Sequence, residues 1–141
     1  MRAVIVIIVG VVALAGCALK ASRQGVPPEV EAVVTTVGDD ANDGRYEKIH
    51  NEAAPEWRDA ATLDKTVSVF NTVKEKLGKV KSRQLHAATE ESRTGQPLGH
   101  SFVLTYDTKF ERGEGMETFT IVERNGQWLL AKYFVNSMAL H

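Results

Sequence analysis

The sequence contains one cysteine, Cys17, among 141 residues. A single thiol excludes an internal disulfide framework and any multi-cysteine zinc site. Charge of one sign is also missing: 17 Lys+Arg against 18 Asp+Glu leaves a net −1. That balance removes the basic footprint of a nucleic-acid binder, so no nucleic-acid partner is expected. The four histidines are spaced 36, 14 and 41 residues apart, and no His-x-x-x-His occurs. No metal is expected on that spacing. Neither a Gly-x-Ser-x-Gly elbow nor a phosphate loop is present, and no cofactor is expected. Repeats and low-complexity tracts are absent as well. What remains is an ordinary globular mixture, 43% hydrophobic and 25% charged, of a length that suits one domain.

The one long apolar run is at the N-terminus. Met1-Arg2 precedes an uncharged stretch from Ala3 to Ala15, then Gly16-Cys17. One positive residue, an apolar segment and small residues at its end are the pattern of a secretory signal peptide. The run is about 14 residues, short of the roughly 20 that a membrane-spanning helix needs. Leu14-Ala15-Gly16-Cys17 resembles the lipobox of bacterial lipoproteins. The resemblance implies cleavage after residue 16 and acylation of Cys17, palmitate included. Two or more acyl chains hold a protein firmly on a membrane. Ala18 rather than Asp follows the cysteine, which by resemblance to Gram-negative sorting implies the outer membrane, facing the periplasm. Residues 17–28 hold Lys20, Ser22, Arg23, Gly25, Pro27 and Pro28 and read as a flexible tether.

Residues 29–141 read as one α+β domain. Pro28 suits the first turn of a helix, and Val30, Val33, Val34, Val37 and Ala41 form its apolar stripe. A second helix is predicted over 45–53, interrupted by Pro55, with Trp57 in the connector or a short turn. A third runs from about Thr62 to Leu77, with Leu63, Val67, Phe70, Val73 and Leu77 inward and Gly78 as its cap. Beyond Gly78 the hydrophobic period changes to two. Strands are predicted over 79–89, 100–111, 116–124 and 127–137, with a turn at Arg112–Gly115. Asn125-Gly126 between apolar runs predicts a tight hairpin. Its register sets Glu123 against Trp128, Ile121 against Leu130 and Phe119 against Lys132, with Thr118 against Tyr133 and Val122 against Leu129 on the other face. Three helices followed by a four-stranded antiparallel meander should place the helices on one face of the sheet.

The order Asp43-Gly44-Arg45-Tyr46, Leu77-Gly78-Lys79-Val80-Lys81-Ser82-Arg83, Phe110, Met116-Glu117-Thr118-Phe119, Asn125-Gly126-Gln127-Trp128 and Tyr133 is similar to exported bacterial domains of the nuclear-transport-factor-2-like superfamily. Within it the chain resembles the domain of unknown function 4019 family over about residues 29–137. The resemblance implies a cone-like, curved sheet closed by the helices. It implies no activity.

Candidate lining residues for such a cone are Trp57, His86, Tyr106, Glu117 and Trp128. Both indoles need a hydrogen-bond partner when buried. Glu117 shares a strand face with Phe119 and Ile121, where it acts chemically or pairs with Arg83 or Lys132. His100 and Asp107, seven apart on one strand, point to opposite faces, and Asp107 reads as a solvated pair with Lys109. No catalytic set converges, so the first expectation is a lipid-anchored envelope module that binds a small apolar ligand or an envelope protein. The alternative is a small isomerase, dehydratase or hydrolase using His86 with Tyr106 or Glu117 on an apolar substrate. A homodimer through the open sheet face is compatible with either.

Overall fold

The structure, a computed structural model, describes residues 25–141 except 93, 96 and 97. The signal segment, the lipobox residues Leu14, Ala15 and Gly16, Cys17 and most of the tether lie outside the described residues. The described part of the tether already joins the fold: Val26 is buried in the main core cluster.

Helix α1 spans Pro28–Asn42, α2 Tyr46–Glu52, α3 Pro55–Ala60 and α4 Leu63–Leu77. Four helices therefore stand where three were expected. Pro55 does not merely interrupt a helix; it opens α3, because its missing N–H and fixed φ suit a first turn. Trp57 thereby becomes helical and buried. Helix α1 buries Val30, Val34 and Val37 along the expected stripe. Helix α4 starts at the Thr62 cap, whose hydroxyl accepts from the Lys65 N–H at 3.2 Å. Its inward face is rotated from the expected one: Thr66 is buried and Val67 is 37% exposed. The Thr66 hydroxyl explains the exchange. It accepts from the Trp57 indole N–H at 3.0 Å and donates to the Thr62 carbonyl at 3.0 Å, so both buried groups are satisfied.

Four antiparallel strands follow in meander order: β1 Val80–Ser92, β2 His100–Phe110, β3 Gly113–Arg124 and β4 Gln127–Asn136. A 3-10 turn, Met138–Leu140, comes last. The Asn125-Gly126 turn has φ of 53° and 76°, the doubly left-handed geometry of a type I′ hairpin. The predicted pairs Glu123–Trp128, Val122–Leu129 and Ile121–Leu130 form. Beyond them the register slips by one: Thr120 meets Lys132, Phe119 meets Tyr133 and Thr118 meets Phe134. Ala131 is the extra residue of a β-bulge, buried with Ala54 and Val122, while the Leu130 carbonyl accepts from the Ala54 N–H at 2.8 Å. The β2–β3 turn is also tighter than expected. Phe110 pairs with Gly113, so the turn is Glu111-Arg112 and both glycines lie within β3. A Cβ on Gly115 would lie 2.9 Å from the Asn136 carbonyl oxygen, which is why this strand position has no side chain.

The helices cover one face of the sheet. Phe102, Leu104, Tyr106, Phe119, Ile121 and Leu130 meet α1, α2, α3 and α4 in one cluster, and Phe110 joins Val73 and Leu77 in another. Each large side chain so buried contributes about 1.5–3 kcal/mol. On the opposite face Ser101, Thr120 and Val122 are buried toward the Trp128 end, and the part toward Met116 is open.

Candidate functional site

Between helices and sheet lies one polar cluster. Glu117, on β3, is only 1% exposed. Its Oε1 accepts from Arg83 Nε at 2.7 Å and from Thr108 Oγ1 at 2.7 Å. Its Oε2 accepts from the Tyr133 hydroxyl at 2.7 Å and from Arg83 Nη2 at 3.2 Å. Arg83 is thus a bidentate partner from β1, and its guanidinium carbon also sits 5.5 Å from the Phe119 ring centre. Burial, followed by the Glu117 charge, pushes the Tyr133 phenol well above its ordinary value, so it remains a donor. Four donors on one carboxylate leave it no free role as a base. The space beside the cluster, near Val37, Gly38, Phe70 and Phe110, is about 20 Å³. That is room for one water molecule.

Of the sequence candidates, Glu117 and Tyr106 are brought together as a cross-strand pair. The other three lie elsewhere. Trp57 is packed in the core, 6.0 Å from Phe70 between ring centres. Trp128 stands at the far end of the sheet, edge-on to His100 at 4.8 Å. His86 corrects the catalytic pairing: it cannot meet Tyr106 or Glu117, because Leu85 takes the inward position opposite Tyr106 and His86, next along the strand at the bulge, turns to the outer face with Gln84. There its Nδ1 lies 3.0 Å from Asp107 Oδ2, both side chains more than half exposed. Asp107 therefore pairs with His86 rather than Lys109. Thr108 and Tyr133 were missed as cluster members. Thr108 continues the inward alternation of Leu104, Tyr106 and Phe110, and that gap in an apolar series was the available signal.

A second polar group sits at the Trp128 end. His100 Nδ1 is 2.9 Å from Glu123 Oε2 and Nε2 is 2.9 Å from Glu90 Oε1. Carboxylates only accept, so both ring nitrogens must donate, and the geometry is that of an imidazolium. The bonds to Glu90 and then Glu123 hold its pKa above the ordinary value. The clasp ties β1, β2 and β3 beside the β1–β2 connection. Arg124 extends the ties, donating to Glu56 of α3 at 2.8 Å and to the Leu98 carbonyl at 3.0 Å. Among the described residues, no three His, Cys, Asp or Glu side chains are grouped to hold a metal.

The open face carries a groove of about 1060 Å³, bordered by Ser82, His86, Lys109, Met116 and Met138. Met116, Phe134 and Met138 are 38%, 65% and 91% exposed. Register places Met116, Phe134 and Asn136 on this same face.

These features define an α+β domain with helices on one face of a four-stranded antiparallel sheet, an apolar interior that holds one saturated polar cluster, and an outer face whose exposed part is partly apolar. The family model described as a protein of unknown function, DUF4019, matches residues 34–133. The chain belongs to this family. No curated protein matches it.

Proposed function

We propose that the protein is an exported lipoprotein, acylated at Cys17 and held on the outer membrane facing the periplasm, whose nuclear-transport-factor-2-like domain binds an envelope protein through the open face of its sheet. The observation that carries the reading is the outer groove. Among the described residues, three of the four large exposed hydrophobic residues, Met116, Phe134 and Met138, lie on this one face. Clustered apolar exposure marks an interaction site where scattered exposure does not. The space beside the Glu117 cluster supports the same reading. Its 20 Å³ is far below the roughly 300–1,000 Å³ of a small-molecule site, and its carboxylate is fully occupied by donors. A small apolar ligand has another place to bind, the cleft of about 520 Å³ between α1, α2 and β4 lined by Val33, Ile49, Trp128 and Leu130.

Two measurements test this. Labelled palmitate should enter the wild-type chain and not Cys17→Ser; label in the variant overturns the anchor. A photo-crosslinking residue at Phe134, in intact membranes, should give a discrete protein adduct, whereas the same group at Lys65 on the helical side should not. Equal adducts at both positions, or none at Phe134, overturn the docking face.

A further inference from the structure

The two edges of the sheet differ. At the β4 edge Ala54 occupies the Leu130 carbonyl. At the β1 edge only Val80 is covered: the Asn42 side chain accepts from the Val80 N–H at 2.9 Å and donates to its carbonyl at 3.4 Å, in the manner of a neighbouring strand. From Lys81 to Ser92 strand β1 pairs with β2 alone, and among the described residues no strand lies on its other side. Such an edge is a template for another strand. Its charges are sorted along its length: Lys81 and Arg83 stand at the start, Glu90 and Glu91 at the end. A second β1 laid parallel would set like charges together. Laid antiparallel, it sets opposite charges together at both ends.

We infer that β1 is a self-association edge, pairing antiparallel with the β1 of a second copy of this chain. The bulge at His86 selects the register. Before it, Arg83 and Leu85 face the helices while Ser82 and Gln84 face out. After it the parity inverts, so that Ala88 and Glu90 face the helices while Ala87, Thr89 and Glu91 face out. Opposed residues in an antiparallel pair must share a face. A two-fold axis between His86 and Ala87 meets this rule from Ser82, just past a second bulge at Lys81, to Glu91: Leu85 opposes the partner's Ala88, Gln84 the partner's Thr89, Arg83 the partner's Glu90 and Ser82 the partner's Glu91. Lys81 then lies beside the partner's Glu91. Neither Lys81 nor Glu91 has an ion-pair partner within its own chain among the described residues. The pairing merges two four-stranded sheets into one of eight strands.

The inference does not depend on lipidation or on the outer groove. The full chain in detergent should sediment as a concentration-dependent dimer that weakens as salt is raised. Lys81→Glu, which repeats its effect on both sides of the axis, should weaken the dimer about tenfold or more. Lys81→Glu with Glu91→Lys should restore it. Oxidation should link Ser82→Cys/Glu91→Cys chains covalently into dimers, while a chain with Cys17 alone and one with Asn136→Cys on the outer face should not link. A monomer at all concentrations would make the bulge and charges devices that protect a lone edge, and overturns the inference. So does a dimer that Phe134→Glu breaks and Lys81→Glu leaves intact, because the association would then use the outer face.

Discussion

Gly38 and Arg83 share one site: a Cβ built on Gly38 would lie 2.3 Å from Arg83 Nη1 and 3.1 Å from its Cζ. The guanidinium runs through the space that a side chain on α1 would fill, and that path brings it to Glu117. Gly38 is in the middle of a helix, where Ala would normally be the better residue by about 1 kcal/mol.

Gly38→Ala should therefore do the opposite of what helix propensity says. Arg83 must withdraw from a buried carboxylate, and the net effect should be a loss of about 1–3 kcal/mol in urea unfolding. A variant as stable as wild type would show that Arg83 reorients freely.

Glu117→Gln leaves Arg83 without its counter-charge and replaces one acceptor oxygen with an amide. Removing one partner of a buried pair costs about 3–5 kcal/mol, and the residual exposure of Arg83 places this case near 3. Tyr133→Phe removes a single hydrogen bond to the carboxylate and should cost about 2 kcal/mol. Urea midpoints for the two variants should keep that order.

The His100 clasp gives a pH dependence of definite sign. Its folded pKa is raised, so its contribution is complete below the unfolded value near 6.5 and is lost as pH rises through the folded value. Asp40 and Glu56 do not interfere. Burial raises each, but hydrogen bonds from Lys48 and Arg45 on Asp40, and from Arg124 on Glu56, hold both below the ordinary carboxylate value. Their contribution is complete above about pH 5 and falls away only in acid. Melting temperature should thus decline as pH rises above about 6.5 in the wild type, and His100→Gln should flatten that decline. A parallel decline in both proteins would place the titration elsewhere.

Gly126→Val tests the hairpin. Nothing lies within 4 Å of a Cβ at Gly126, so the cost is conformational alone. A branched residue at φ 76° should lose about 1–2 kcal/mol, seen as a lower melting temperature.

Periodicity and turn chemistry made the strands, their order and the Asn125-Gly126 hairpin legible in the sequence, because those signals are local. The bulges were not. Leu129-Leu130-Ala131 is apolar throughout, so alternation could not say which residue is extra; Ala54, distant in sequence, decides it by taking the Leu130 carbonyl. His86 follows Ser82 and Gln84 along one face of β1, but these residues do not say which face meets the helices, and it was placed with Tyr106 and Glu117 for that reason. In the interior, Glu117 and its possible partner Arg83 were legible as a charge on a half-apolar face. Thr108 was not, since it reads as an ordinary strand residue until the carboxylate is located; Tyr133 was not, because the unbulged register set it beside Thr118 on the opposite face and the Ala131 bulge turns it inward. Thr66 displaced Val67 for a similar reason: a hydroxyl won an inward position through the indole it satisfies.

The Ala54–Leu130 contact limits growth. A sheet with two bare edges adds copies without end and makes a fibre; a sheet bare on one side only stops after a single addition. Ala54 takes one carbonyl near the middle of β4, so a strand joining there would have to displace the bend between α2 and α3, and growth beyond the pair proposed for β1 is opposed at that point.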